Sequence, residues 1–179
     1  MKYQIDIYDN NVDNSARFAL GMNGKRPLFI IGLNPSTADD QKPDRTITKI
    51  MNFAQNAHFD GFIMLNLYSQ RTPFPDQLDT QLNPVLHKAN VRKITQNLSA
   101  YESPYLLAAW GATLNLRSYL LPCLLEIKAA IDPINASWLK IGDLTQGGHP
   151  RHPSRAAYAL GLTPFDIASY LRIHGASDH

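Results

Sequence analysis

Nine residues near the C-terminal end, Gly147-Gly148-His149-Pro150-Arg151-His152-Pro153-Ser154-Arg155, hold two imidazoles, two guanidiniums, two prolines and two glycines. Packing alone rarely calls for such a mixture, and it points to a functional loop. His149 and His152 can move protons near neutral pH, while Arg151 and Arg155 can hold an anion. Pro150 stands between the histidines and prevents a helical His pair. No carboxylate motif completes a ligand set, so no metal is expected.

A second group is Gly32-Leu33-Asn34-Pro35-Ser36-Thr37-Ala38. Gly32 permits a close approach of backbone or ligand, and Pro35 confines Asn34 to extended geometry. An amide so fixed can orient a water or read the edge of a heterocycle; it can equally close a turn by bonding its own backbone. Asp39, Asp40 and Asp44 follow within a few residues. Asp39 or Asp44 would serve as a general base, although Asp44 also suits a helix cap and the others suit solvent. A third group is Asn66-Leu67-Tyr68-Ser69-Gln70-Arg71. Asn66 has the donors and acceptor for a base edge, Tyr68 a ring for stacking, and Arg71 a fork for phosphate or carboxylate. Trp110 before Gly111 is expected in the core rather than as a stacking platform.

These groups need elements to position them. Leu28 to Leu33 and Gly61 to Leu65 are continuously apolar, as strands buried on both faces are. Pro104 to Gly111 and Ala136 to Ile141 add a third and a fourth. Between them, Ile47, Ile50, Met51 and Ala54 repeat at helical spacing behind Asp44. Asn83-Pro84 starts a helix running to about Leu98, and Leu116 to Ile127 form another that Pro122 should kink or restart. The alternation predicts a parallel sheet with helices on both faces, ligands binding at the strands' C-terminal edge. Tyr3, Ile5 and Ile7 alternate as one arm of an N-terminal hairpin whose other arm is Ala16 to Met22. Thr163 and Pro164 should open a last helix to His174, with a frayed tail at 175–179.

The chain has 179 residues, 44% hydrophobic and 18% charged, which suits one domain with a real core. That single domain divides into a hairpin at 1–24, a core at 25–155 and the added helix. A net charge of +2 is low for a bulk nucleic-acid neutraliser. One cysteine, Cys123, excludes disulfide frameworks and multi-cysteine clusters and fits a reducing, cytoplasmic setting. No secretory leader and no run long enough to span a membrane is visible. Glycine-rich dinucleotide and P-loop motifs and the nucleophile elbow are missing from the sequence, and no cofactor is implied.

In order, four segments resemble the motifs of the uracil-DNA glycosylase superfamily. Gly32-Leu33-Asn34-Pro35 is similar to its first motif, and Phe62 to Asn66 to its strand ending in a base-reading asparagine. Leu106 to Gly111 and His149-Pro150 are similar to its later strand and final loop. The chain also resembles a bacterial and phage family of unknown function through Leu33 to Asp39, Asn66-Leu67, Ala109-Trp110-Gly111 and Gly148 to Pro153. The glycosylase resemblance implies a three-layer α/β/α sandwich around a four-stranded, mostly parallel sheet. It further implies that Asn34 holds the attacking water, Asn66 reads the base and His149 supports the departing base anion. Gly32, Pro35, Ser36, Thr37, Tyr68, Arg71, Arg151, His152 and Arg155 would complete the binding surface.

Two departures bear on the chemistry. Asn34 replaces an aspartate, so it positions water without deprotonating it. Arg151 or Arg155 stands where an apolar wedge is usual. The leading expectation is an N-glycosidic hydrolase acting on a nucleobase in DNA, in other nucleic acid or in a nucleotide. One alternative is a module that binds a nucleobase, nucleotide or nucleic acid without cleaving it. Another is a hydrolase or transferase that holds a small anion through Arg71, Arg151 and Arg155.

Overall fold

The computed structural model describes residues 1–175. The tail expected at 175–179 therefore lies, beyond Gly175, outside the described residues. Seven strands form one sheet: β1 (Ile7–Asn10), β2 (Arg17–Met22), β3 (Pro27–Gly32), β4 (Gly61–Asn66), β5 (Tyr105–Ala108), β6 (Ser137–Ile141) and β7 (Leu162–Pro164). Their spatial order is β1-β2-β4-β3-β5-β6-β7. The pairings of β4 with β3, β3 with β5 and β5 with β6 are parallel, and the rest are antiparallel.

This mixed, seven-stranded sheet corrects the expectation of four strands preceded by a separate hairpin. β2 pairs with β4, Leu20 opposite Met64, so the hairpin belongs to the main sheet. Its first strand begins at Ile7 rather than Tyr3, and Asn and Asp side chains close the turn that follows it. Asn11 Oδ1 accepts from Ala16 N at 2.8 Å, and Asp13 Oδ1 accepts from Ser15 N at 3.1 Å. At the other edge, Thr163 does not cap a helix. It pairs with Lys140 in β7, and its hydroxyl donates to the Gly142 carbonyl. Asp166 caps α4 (Ile167–Gly175) instead, accepting from Ser169 N at 2.9 Å.

α1 (Arg45–Asn56) begins where its cap predicts, with Asp44 Oδ1 accepting from Ile47 N at 2.9 Å. α2 (Pro84–Ser99) is capped by Asn83, whose Oδ1 accepts from Val85 N and Leu86 N. α3 spans Leu120–Ile131, so Pro122 falls within its first turn. A proline there removes a donor that would have no intrahelical partner, and no kink is required. Leu116 and Tyr119 precede that helix; Leu116 closes a 3₁₀ segment, Gly111–Leu116.

Alternate residues of β3 feed opposite cores. Leu28 and Ile30 pack with α1, while Phe29 and Ile31 pack with residues of α2, α3 and α4. The helices thus form layers on both faces of the sheet. Among the described residues, no helix is long and apolar enough to cross a membrane.

Candidate functional site

β3 is linked through α1 to β4 on one side, and the chain then crosses β3 through α2 to reach β5 on the other. The strand order therefore reverses between β3 and β5, the position at which open α/β sheets leave a crevice beyond their C-terminal ends. A cavity of about 390 Å³ opens there. Its size lies in the range of small-molecule sites. Asn34 and Ser36 line it after β3, Asp44 and Thr46 at the start of α1, and His152 and Arg155 from the final loop.

Asn34 is held by its own nitrogen. Nδ2 donates to the carbonyls of Pro35 and Thr72, both at 2.9 Å. That fixes the amide plane and leaves Oδ1 as an acceptor with no donor among the described residues. Pro35 is buried and contributes through its carbonyl, which also accepts from Thr72 N at 3.0 Å. Asp44 spends one carboxylate oxygen on its helix cap.

His152 faces the same space. Its Nδ1 lies 3.3 Å from the backbone N of Ser154 and 2.8 Å from the Ser154 hydroxyl. A backbone N–H can only donate, so Nδ1 accepts and the neutral ring carries its proton on Nε2. Burial, followed by the Arg155 charge, lowers the His152 pKa below its ordinary value. Lys49 of α1 donates to the Ala156 carbonyl at 2.8 Å and ties this loop down. Gly111, at φ +71°, allows the loop to approach: a Cβ there would lie 3.1 Å from His152 Cβ.

His149 sits elsewhere. It is 8% exposed and packs against α4 on the opposite face, outside the cavity lining. Trp110 Nε1 donates to Tyr170 Oη at 3.1 Å, and Tyr170 Oη shares a second hydrogen bond with His149 Nδ1 at 3.0 Å. Burial raises the Tyr170 phenol to about 12, so it stays protonated. The ring of His174 lies 4.5 Å from that of His149. Burial first and His174 second lower the His149 pKa. The Trp110 side chain is fully buried in this cluster, as its type suggests.

Other expected site residues are engaged in hydrogen bonds within the fold. Asn66 is buried and points at the loop that follows β3, where its amide donates to the Asn34 carbonyl at 3.2 Å. Gly32 makes room for it, since a Cβ would meet the end of the Asn66 side-chain amide at 2.9 Å and Met64 Cε at 2.4 Å. Tyr68 is buried rather than free to stack, its hydroxyl accepting from Asn83 N at 3.1 Å. Arg71 is committed to protein acceptors: Ser36 O at 3.0 Å, Tyr8 Oη at 2.8 Å, Asn14 Oδ1 at 2.7 Å and Ala38 O at 3.0 Å. Arg151 donates to the Asp143 carbonyl at 2.9 Å. Asp39 folds its carboxylate onto Gln41 N and Lys42 N, which lowers its pKa, and lies outside the cavity lining, as does exposed Thr37.

Sequence reasoning missed Arg17, which lines the cavity at 2% exposure. A charged residue opening a buried strand was the available signal. Burial, with the Arg71 charge adding to it, lowers Arg17 to about 10, so it remains a cation at neutral pH. Thr46, Thr72 and Thr113 complete the polar wall and were also missed. Among the described residues, no group of three or more His, Cys, Asp or Glu could hold a metal. Cys123 is buried, and desolvation raises its thiol to about 12, which leaves it unreactive.

Residues 17–154 match the family model described as a protein of unknown function (DUF1643). The chain belongs to that family. The matched span runs from Arg17 to Ser154, and so includes Asn34, Asp44 and His152. No curated protein and no solved structure matches the chain.

Proposed function

We propose that the cavity binds a nucleobase-bearing ligand and hydrolyses its N-glycosidic bond, in the manner of the glycosylases that the motif order resembles. The observation that carries this reading is the pairing, in one cavity at the strand-order reversal, of an unpartnered acceptor, Asn34 Oδ1, with a neutral histidine, His152. Asn34 holds a water by accepting one of its hydrogens. The C1′–N bond breaks with its electron pair leaving on the base, and the water oxygen bonds to C1′. The second oxygen of Asp44 receives the water's proton. His152 Nε2–H donates to the departing base, so a fixed donor meets charge as it develops. This role passes to His152 because His149 is engaged by Tyr170 on the far side of the sheet.

The test is base release by purified protein from oligonucleotides and free nucleotides carrying normal, deaminated and alkylated bases. Release is expected from at least one substrate, with Asn34→Ala lowering it by about 10²-fold or more. Release that Asn34→Ala leaves intact, or none from any substrate, would overturn hydrolysis at this site.

A further inference from the structure

Arg17 is among the largest fully buried side chains of the protein, yet the structure gives it almost nothing to hold. One terminal nitrogen donates to the Ala38 carbonyl at 2.5 Å. Nε is buried with no hydrogen-bond partner. The ion pairs among the described residues are His87–Glu126, Lys93–Asp9 and Lys128–Asp132, so no carboxylate is in contact with Arg17, and the Asp44 charge favours its cation only from a distance. Its guanidinium neighbour is another cation, Arg71, which shares the same Ala38 carbonyl. Burying an unpaired cation is unfavourable, and such a group usually has a counter-charge.

The backbone is shaped to bring this cation to the cavity. Along β2, Ala19 belongs to the core under α2 and α3, and Leu20 to the core under α1. Simple alternation would put Arg17 on the side of Ala19. The β1–β2 register, however, passes from Asp9 opposite Ala19 to Asn10 opposite Arg17, so Phe18 is an inserted residue. That bulge turns Arg17 onto the α1 face, where Ala38 and the cavity lie. Bulges beside functional sites re-aim side chains in this way. Around it, the hydroxyls of Ser36 and Thr46 make no hydrogen bond among the described residues, and Arg155 stands exposed at the cavity wall. Among the described residues, the carboxylate of Asp44 is the only acidic side chain of the lining, and one of its oxygens is already engaged.

We infer that Arg17 is the anion anchor of this cavity and receives a compact oxyanion, a phosphate monoester or a carboxylate, at the end of a small ligand. The guanidinium supplies the charge and its free Nε–H a directed donor, with Ser36, Thr46 and Arg155 available to the remaining oxygens. The inference deepens the hydrolytic reading and rests on it only for the base. Together they name a free nucleotide, rather than a base extruded from a duplex, as the substrate class.

Thermal unfolding and calorimetric titration test the anchor without any turnover. The probes are inorganic phosphate and acetate against chloride at matched ionic strength, and the common ribonucleoside 5′-monophosphates against their nucleosides. For the wild-type protein, phosphate or acetate should raise the melting temperature, and the effective one identifies the oxyanion. At least one monophosphate should bind about tenfold or more tightly than its nucleoside. Arg17→Met should abolish that preference while melting no lower than wild type without ligand, because it removes an unpaired buried charge. Arg17→Lys, which keeps charge but loses the fork, should retain only part of the preference. Should Arg17→Met fail to fold, the Arg17→Lys and wild-type arms still decide. No response to either anion, or a preference unchanged in the variants, would overturn the anchor. Base release from oligonucleotides without an anion response would overturn the anchor alone, whereas an anion response without base release would overturn hydrolysis alone.

Discussion

His149 and His152 leave one short loop toward opposite faces of the sheet, and their surroundings differ accordingly. His149 ends a chain of hydrogen bonds that starts at Trp110 and passes through Tyr170, inside a cluster of aromatic rings. His152 has one nitrogen fixed by Ser154 and otherwise meets a cavity. Both pKa values are lowered chiefly by desolvation, so titration behaviour alone does not separate them. What separates them is position: His149 packs against the rings of Tyr170 and His174, and His152 lines a cavity that a ligand can enter. A contrast in hydrogen-bonding capacity divides the asparagines, since Asn66 is used on the backbone of Asn34 and Leu65 while the Asn34 side chain keeps an acceptor with no donor among the described residues.

If the α4 face is structural, damage there should appear as lost stability. Trp110→Ala should cost about 3–5 kcal/mol in denaturant unfolding, the usual range for emptying a buried aromatic site. A loss below 1 kcal/mol would mean that the cluster is not core. Tyr170→Phe strands both Trp110 Nε1 and His149 Nδ1, and should cost about 1–3 kcal/mol. On the cavity side, Gly111→Ala should cost about 1–2 kcal/mol, because φ +71° disfavours a Cβ. It should also displace His152, visible as a changed imidazole resonance, whereas an unmoved resonance would separate Gly111 from the site.

The smallest effect is that of pH. Histidines whose folded pKa is lowered bind fewer protons when native than when unfolded, so stability falls as pH drops below about 6.5. The melting temperature should decline between about pH 6.5 and 5, before the carboxylates with lowered values contribute. His149→Gln and His152→Gln should each flatten that slope, and a slope unchanged in both would contradict neutral histidines in the native state.

Much of this frame was legible from local chemistry. The all-apolar runs located β3 and β4, and the caps Asp44 and Asn83 located α1 and α2, because these signals act within a few residues. The edge strand β7 was read as part of a helix, since Thr163-Pro164 satisfies a helix start equally well until β6 offers a partner. The site was legible only in part. Asn34, Asp44 and His152 were singled out, but which histidine reaches the cavity depends on how the loop crosses the sheet edge. Arg17 escaped notice because a register shift between two strands, not its own neighbours, aims it inward. Asn66, Tyr68 and Arg71 look functional by type, and their side chains are engaged by partners distant in sequence.

The most direct test compares the two histidines in base release, on whichever substrate the wild-type protein cleaves. His152→Ala should lower the rate by about 10²–10⁴-fold while unfolding near wild type, the range for loss of a positioned proton donor. His149→Ala should retain the wild-type rate at temperatures where it remains folded. A large rate loss in a folded His149→Ala protein, with His152→Ala fully active, would contradict the assignment of the cavity as the catalytic site.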